Sequence, residues 1–124
     1  NLDCLLEVAK WISKHHSLTI RVDTNGHGYL LNLGREVVKE MYDAGVSSLS
    51  VSLNAPNEKL YNEICRPIFQ EAFEAVLKFI KEAKKMLNVE ITAVKVPELD
   101  VEEMKILAET LKVPLRIRNY IQFP

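Results

Sequence analysis

From Ser48 to Asn54, polar and apolar side chains alternate in the run Ser47-Ser48-Leu49-Ser50-Val51-Ser52-Leu53-Asn54. A period of two marks a β-strand with one apolar and one polar face. A strand inside an alternating α/β chain is normally covered on both faces and reads as a continuous apolar run. This strand needs something polar against its serine face, and that requirement limits the folds open to the chain.

The remaining segments fall into alternation around it. A helix is predicted over residues 2–14, with Leu5, Leu6, Val8, Ala9 and Ile12 at helical spacing beside Trp11. His15 and His16 close it as a solvated, dipole-compatible end rather than a metal site. Residues 18–23 alternate as a strand, and Thr24-Asn25-Gly26-His27-Gly28 follows as a turn-rich loop. A second helix is predicted from Asn32 to Ala44, closed by Gly45. After the serine-faced strand, Asn54-Ala55-Pro56 breaks the chain, and a short helix covers residues 58–64. A long helix is predicted from Phe69 to Leu87 with the stripe Phe73, Val76, Leu77, Ile80, Ala83 and Leu87, and Asn88 as its cap. Residues 89–94 form a third strand. Asp100 and Glu103 form a capping box for a helix to Leu111, and residues 115–120 form a fourth strand. Strands joined by helical crossovers make a parallel α/β sheet.

All four strands have a polar face: Thr19, Arg21, Asp23 and Asn25; Ser48, Ser50, Ser52 and Asn54; Glu90 and Thr92; Arg116 and Arg118. Helices must cover the apolar faces. The polar faces fit either an open sheet wet on one side or a barrel with a polar lumen. Five charged side chains on one side favour the barrel, because charges need partners or ligands when enclosed. The expected fold is a partial (β/α) TIM-like barrel with about four parallel strands and crossover helices.

Composition narrows the partners. The chain has 124 residues, 48% of them hydrophobic and 27% charged, with a net charge of −1. That suits a single globular unit and gives no strong nucleic-acid signal. No apolar run is long enough to span a membrane. Cys4 and Cys65 are far apart and follow no metal spacing, which points to free thiols in a reducing, cytoplasmic compartment.

Ligands of parallel α/β sheets bind at the C-terminal strand ends. Those ends carry Asp23, Thr24, Asn25 and Gly26; Ser52 and Asn54; Lys95; and Arg118, Asn119 and Tyr120. Such side chains hold ribose hydroxyls, an amino acid group or an adenine edge. There is no Walker loop, GxGxxG, HExxH or nucleophile elbow.

The runs Ile20-Arg21-Val22-Asp23-Thr24-Asn25-Gly26-His27-Gly28, Val51-Ser52-Leu53-Asn54-Ala55-Pro56 and Tyr61-Asn62-Glu63-Ile64-Cys65-Arg66-Pro67 together resemble the radical S-adenosylmethionine superfamily, and are most similar to its TatD-linked proteins. The resemblance implies a partial barrel holding a four-iron four-sulfur cluster and S-adenosylmethionine, the source of a 5′-deoxyadenosyl radical acting on an unknown substrate. It places Asp23 and Asn25 beside the cofactor, Ser52 and Asn54 at its ribose and amino acid part, and Arg118 and Tyr120 where the last strand passes the adenine. A TatD-like metallohydrolase is the partner it suggests. The superfamily's C-x3-C-x2-C cluster motif does not occur among these residues, and two distant cysteines do not replace it. With a helix first and a strand last, the chain reads as the second half of a larger barrel. By itself it is expected to be inactive and to self-associate through open sheet edges.

Two other readings compete with the enzyme. One is a stand-alone, non-catalytic domain binding a nucleotide-like ligand or its own copies. The other is an aldolase-like barrel piece with Lys95 forming a Schiff base, against which stands the ordinary reading of a solvated lysine.

Overall fold

A computed structural model describes residues 1–119. The elements run α1 (Leu2–His15), β1 (Ile20–Thr24), α2 (Gly28–Leu31), α3 (Val37–Asp43), β2 (Val46–Ser52), α4 (Glu58–Cys65), α5 (Ala72–Ala83), β3 (Asn88–Lys95), α6 (Val101–Leu111) and β4 (Leu115–Asn119). The four strands form one sheet in sequential order, β1-β2-β3-β4, and every pairing is parallel. Sequential parallel strands joined by helices are the repeating unit of a (β/α) barrel, so the expected fold class holds.

The register aligns the alternations. Val22 lies opposite Leu49, Leu49 opposite Val89, and Ile91 opposite Leu115. Leu49, Val51, Ile91 and Ala93 are buried with Val76, Phe79, Ile80, Met104 and Ala108 of the helices in one core cluster. On the other face Asp23 lies opposite Ser50 and Ser50 opposite Glu90, while Ser52 lies opposite Thr92 and Thr92 opposite Arg116. The polar residues therefore share one face across all four strands. No helix among the described residues is long and apolar enough to cross a membrane.

Several boundaries differ from expectation for local reasons. The helix expected over 32–44 is two: the Asn32 side chain donates to the Gly28 carbonyl at 2.9 Å and closes α2, and Gly34 takes a positive φ of 80° before α3 begins. Gly45 does follow α3 with a φ of 102°; a side chain there would collide with Ser13, whose hydroxyl donates to the Ala44 carbonyl. α5 is shorter than the predicted 69–87. Glu71, its N-cap, has a left-handed φ of 55°, and the chain leaves the α-helix at Lys84 in tighter turns. Asn88 opens β3 rather than capping α5. At α6, Asp100 accepts from the Glu103 amide, but the Glu103 carboxylate accepts from Asn57 instead of completing a capping box. Leu18, expected in β1, precedes it and is exposed.

Candidate functional site

The C-terminal ends of β1 and β2 are fixed by turn chemistry. The Thr24 hydroxyl accepts from the Gly26 amide at 3.1 Å, and Asn25 Oδ1 accepts from the His27 amide at 3.0 Å. Gly26 has a φ of 80°, and a Cβ there would stand 2.8 Å from Val76 Cγ1, so only glycine follows this path. At the end of β2 the amides of Leu53 and Asn54 both donate to the Thr92 carbonyl, at 3.0 and 3.1 Å. Asn54 then turns the chain with a φ of 67°, a region that asparagine tolerates better than most residues.

These turns determine where the candidate residues stand. Asp23 is exposed on the polar face, 3.4 Å from Arg21 Nε. Asn25 is exposed, with its carbonyl oxygen held by the turn and no bond from its amide nitrogen among the described residues. Ser52 and Asn54 are half-buried, and Asn54 Nδ2 lies 4.0 Å from the Cys65 sulfur. Arg118 is exposed near the end of β4, opposite Val94 and on the same face as Arg116, and makes no ion pair among the described residues. Tyr120 lies outside the described residues. Asp23, Ser52 and Arg118 are thus brought to one face toward one end of the sheet, with Asn25 in the loop just past β1 and Asn54 at the rim. Lys95 is exposed at the end of β3, opposite Asn119.

The row of the polar face that Asp23 shares with Ser50 and Glu90 has its own wiring. The Ser50 hydroxyl donates to Glu90 Oε1 at 2.9 Å, and Arg116 reaches the same oxygen at 3.1 Å. Ser50 and Thr92 are buried although they lie on the polar face. The sequence alternations place Ser50 and Glu90 on one face, but the register that makes them neighbours is a tertiary result.

Sequence reasoning missed a second cluster beside the strand ends. His27 Nε2 and the Tyr61 hydroxyl are 2.7 Å apart across 34 positions. Burial holds the His27 imidazole below its ordinary range, and it pushes the Tyr61 phenol up to about 12. Burial also raises the Cys65 thiol, an effect that the Asn54 contact opposes. Both neutral rings and the protonated thiol argue against a nucleophile here. The one sequence signal for the pair is that both residues follow the ends of adjacent strands.

The residues can be matched to the two implied cofactors separately. No group of three or more His, Cys, Asp or Glu among the described residues could hold a metal. Cys4 is exposed on α1 and Cys65 half-buried at the end of α4. These residues do not fit an iron–sulfur cluster. The strand-end set does fit the hydroxyl, ammonium and carboxylate groups of S-adenosylmethionine, since it offers hydroxyl and amide hydrogen-bonding groups, a carboxylate and a guanidinium on one surface.

Known proteins place the chain. It is 31% identical over 104 residues to a protein of Methanocaldococcus jannaschii, Uncharacterized protein MJ0804, covering 84% of this chain and 35% of that relative. Two solved structures share the fold. TYW1 with a lysine-pyruvate adduct bound matches with a TM-score of 0.69 and 21% identity, over 95% of this chain and 37% of that one. Methylornithine synthase (PylB) matches with a TM-score of 0.70 and 13% identity, over 96% of this chain and 34% of that one. The chain thus spans about a third of the length of the proteins it matches. The radical SAM superfamily matches residues 2–111, nearly the whole chain. The chain belongs to the radical SAM superfamily.

Proposed function

We propose that these residues form the later strands of a radical SAM barrel and contribute the ribose, amino acid and adenine contacts of its S-adenosylmethionine site. The supporting observation is the set of polar side chains toward one end of one sheet face, Asp23, Ser52, Arg116 and Arg118, with Asn25 just past β1 and Asn54 at the rim. Asp23 accepts from an ammonium or hydroxyl, Ser52 and Asn54 pair with ribose and amino acid groups, and Arg118 lies beside the adenine with Tyr120 further along the chain. The bound cofactors supply the reductive chemistry; the chain supplies binding, orientation and exclusion of water. Cluster ligands come from outside these residues. The motifs favour the TatD-linked branch with a TatD-like metallohydrolase as partner.

Anaerobic reconstitution of the whole polypeptide that carries these residues, with iron and sulfide followed by a reductant, tests the reading. The expected products are a cluster absorbance and 5′-deoxyadenosine, the latter reduced about tenfold or more in Ser52→Ala if one hydrogen bond of ordinary strength is lost. A polypeptide that takes up no cluster and yields no 5′-deoxyadenosine refutes it.

A second reading, a self-associating binding domain, is favoured by the groove of about 530 Å³ beside the open edge of β1, lined by Leu5, Val8, Ile12, Ile20 and Val22. A concentration-independent monomer in sedimentation would eliminate it.

A further inference from the structure

We propose that His27 and Tyr61 are positioning residues: their hydrogen bond clasps the loop after β1 to α4 and so fixes the two strand ends that carry Asp23, Asn25, Ser52 and Asn54 in one geometry. The inference rests on the S-adenosylmethionine site proposed above. The Gly26 path, with no room for a side chain, delivers His27 to one place. The Tyr61 ring is buried edge-on against Phe73, with centroids 5.5 Å apart, and the His27 ring meets Phe69 edge-on at 6.1 Å. Among the described residues His27 is the one hydrogen-bond partner of the Tyr61 hydroxyl. A buried phenol left without a partner is costly, so the pair holds whenever α4 is docked. α4 is itself anchored, since Asn57 caps its first turn at the Leu60 amide and also donates to Glu103 of α6. A ligand that bridges the ends of β1 and β2 then meets a site already assembled, and loses less free energy in ordering it.

The clasp joins a neutral imidazole to a neutral phenol. The groups facing His27 are Tyr61 from α4 and Phe69 ahead of α5; Cys65, one turn further along α4, acts on Tyr61, and burial alone lowers the imidazole, with no contribution from Glu58, Lys59 or Glu63 of the same helix. A histidine with a depressed folded value gives its full contribution above its ordinary 6.5, and loses it as pH falls from there toward the depressed value. The unfolded or unclasped form takes up the proton first.

Binding of S-adenosylmethionine to the whole polypeptide is measured at pH 8 and pH 6 for the parent, Tyr61→Phe and His27→Gln, with thermal midpoints and amide hydrogen exchange alongside. The expected result is affinity about tenfold weaker in Tyr61→Phe at pH 8, one neutral hydrogen bond's worth. The parent's loss of affinity at pH 6 is absent from Tyr61→Phe, and His27→Gln, which keeps a hydrogen-bonding group, recovers part of the affinity. Equal affinity in all three proteins, or a loss in Tyr61→Phe that retains the parent's pH dependence, overturns the clasp. If the parent itself binds no S-adenosylmethionine, the site reading fails on its own. Hydrogen exchange then decides the clasp: faster exchange at residues 25–29 in Tyr61→Phe supports it, and unchanged exchange there overturns it.

Discussion

The two faces of the sheet are built to opposite rules. On one, Leu49, Val51, Ile91 and Ala93 are at most 1% exposed, and they interlock with helix residues such as Val76 and Ile80. On the other, Arg21 pairs with Asp23 and Arg116 with Glu90 through side chains that keep between 28% and 69% of their exposure. The first face contributes its stability through dry packing. The second is held by solvent-screened pairs worth about 0–1 kcal/mol each. A surface with charged and hydrogen-bonding groups committed so weakly to one another leaves them available, as the proposed ligand site requires. The contrast therefore separates the face that folds this chain from the face proposed to bind its ligand.

Substitutions can break or sharpen that contrast. Leu49→Ala should have the largest effect, a loss of about 2–5 kcal/mol from an apolar face with no room to spare, read by urea unfolding. A smaller loss there than on the polar face would invert the comparison. Gly26→Ala should come next, at about 1–3 kcal/mol, because the residue takes a positive φ and its new methyl meets Val76. Thermal unfolding checks this, with disturbed amide signals confined to the loop after β1. Asp100→Ala removes the α6 N-cap bond to the Glu103 amide and should cost about 1 kcal/mol, visible as loss of helical ellipticity at intermediate denaturant. Glu90→Gln should have the smallest effect, below about 1 kcal/mol in urea unfolding, since the Arg116 pair is partly exposed and Ser50 keeps an acceptor. A loss of several kcal/mol there would mean that the polar face is structural after all.

Much of this architecture was legible in the sequence because two periods dominate it. The alternation from Ser48 to Asn54 and its three counterparts gave strands and faces, and the Phe73, Val76, Ile80 and Ala83 stripe gave α5 its buried side. Phe79 was left out of that stripe although it follows Val76 by three and adjoins Ile80; in the fold it is buried and meets Tyr29 edge-on, which widens the buried side of α5. The break at Asn32–Gly34 was missed because a side chain closes the turn. The strand-end residues were found by type and place, while the turn bond that occupies Asn25 Oδ1 and the His27–Tyr61 pair depend on loop paths and register that no local pattern encodes.

Titration of the isotopically labelled polypeptide with S-adenosylmethionine, followed by amide and side-chain chemical shifts, tests the central claim most directly. The account predicts shifts concentrated at Asp23, Asn25, Ser52, Asn54 and Arg118, with Leu49, Val51 and Ile91 on the helix-covered face unmoved. Shifts centred instead on the helix side, for example at the groove between Tyr29, Leu33 and Ala75, would contradict it.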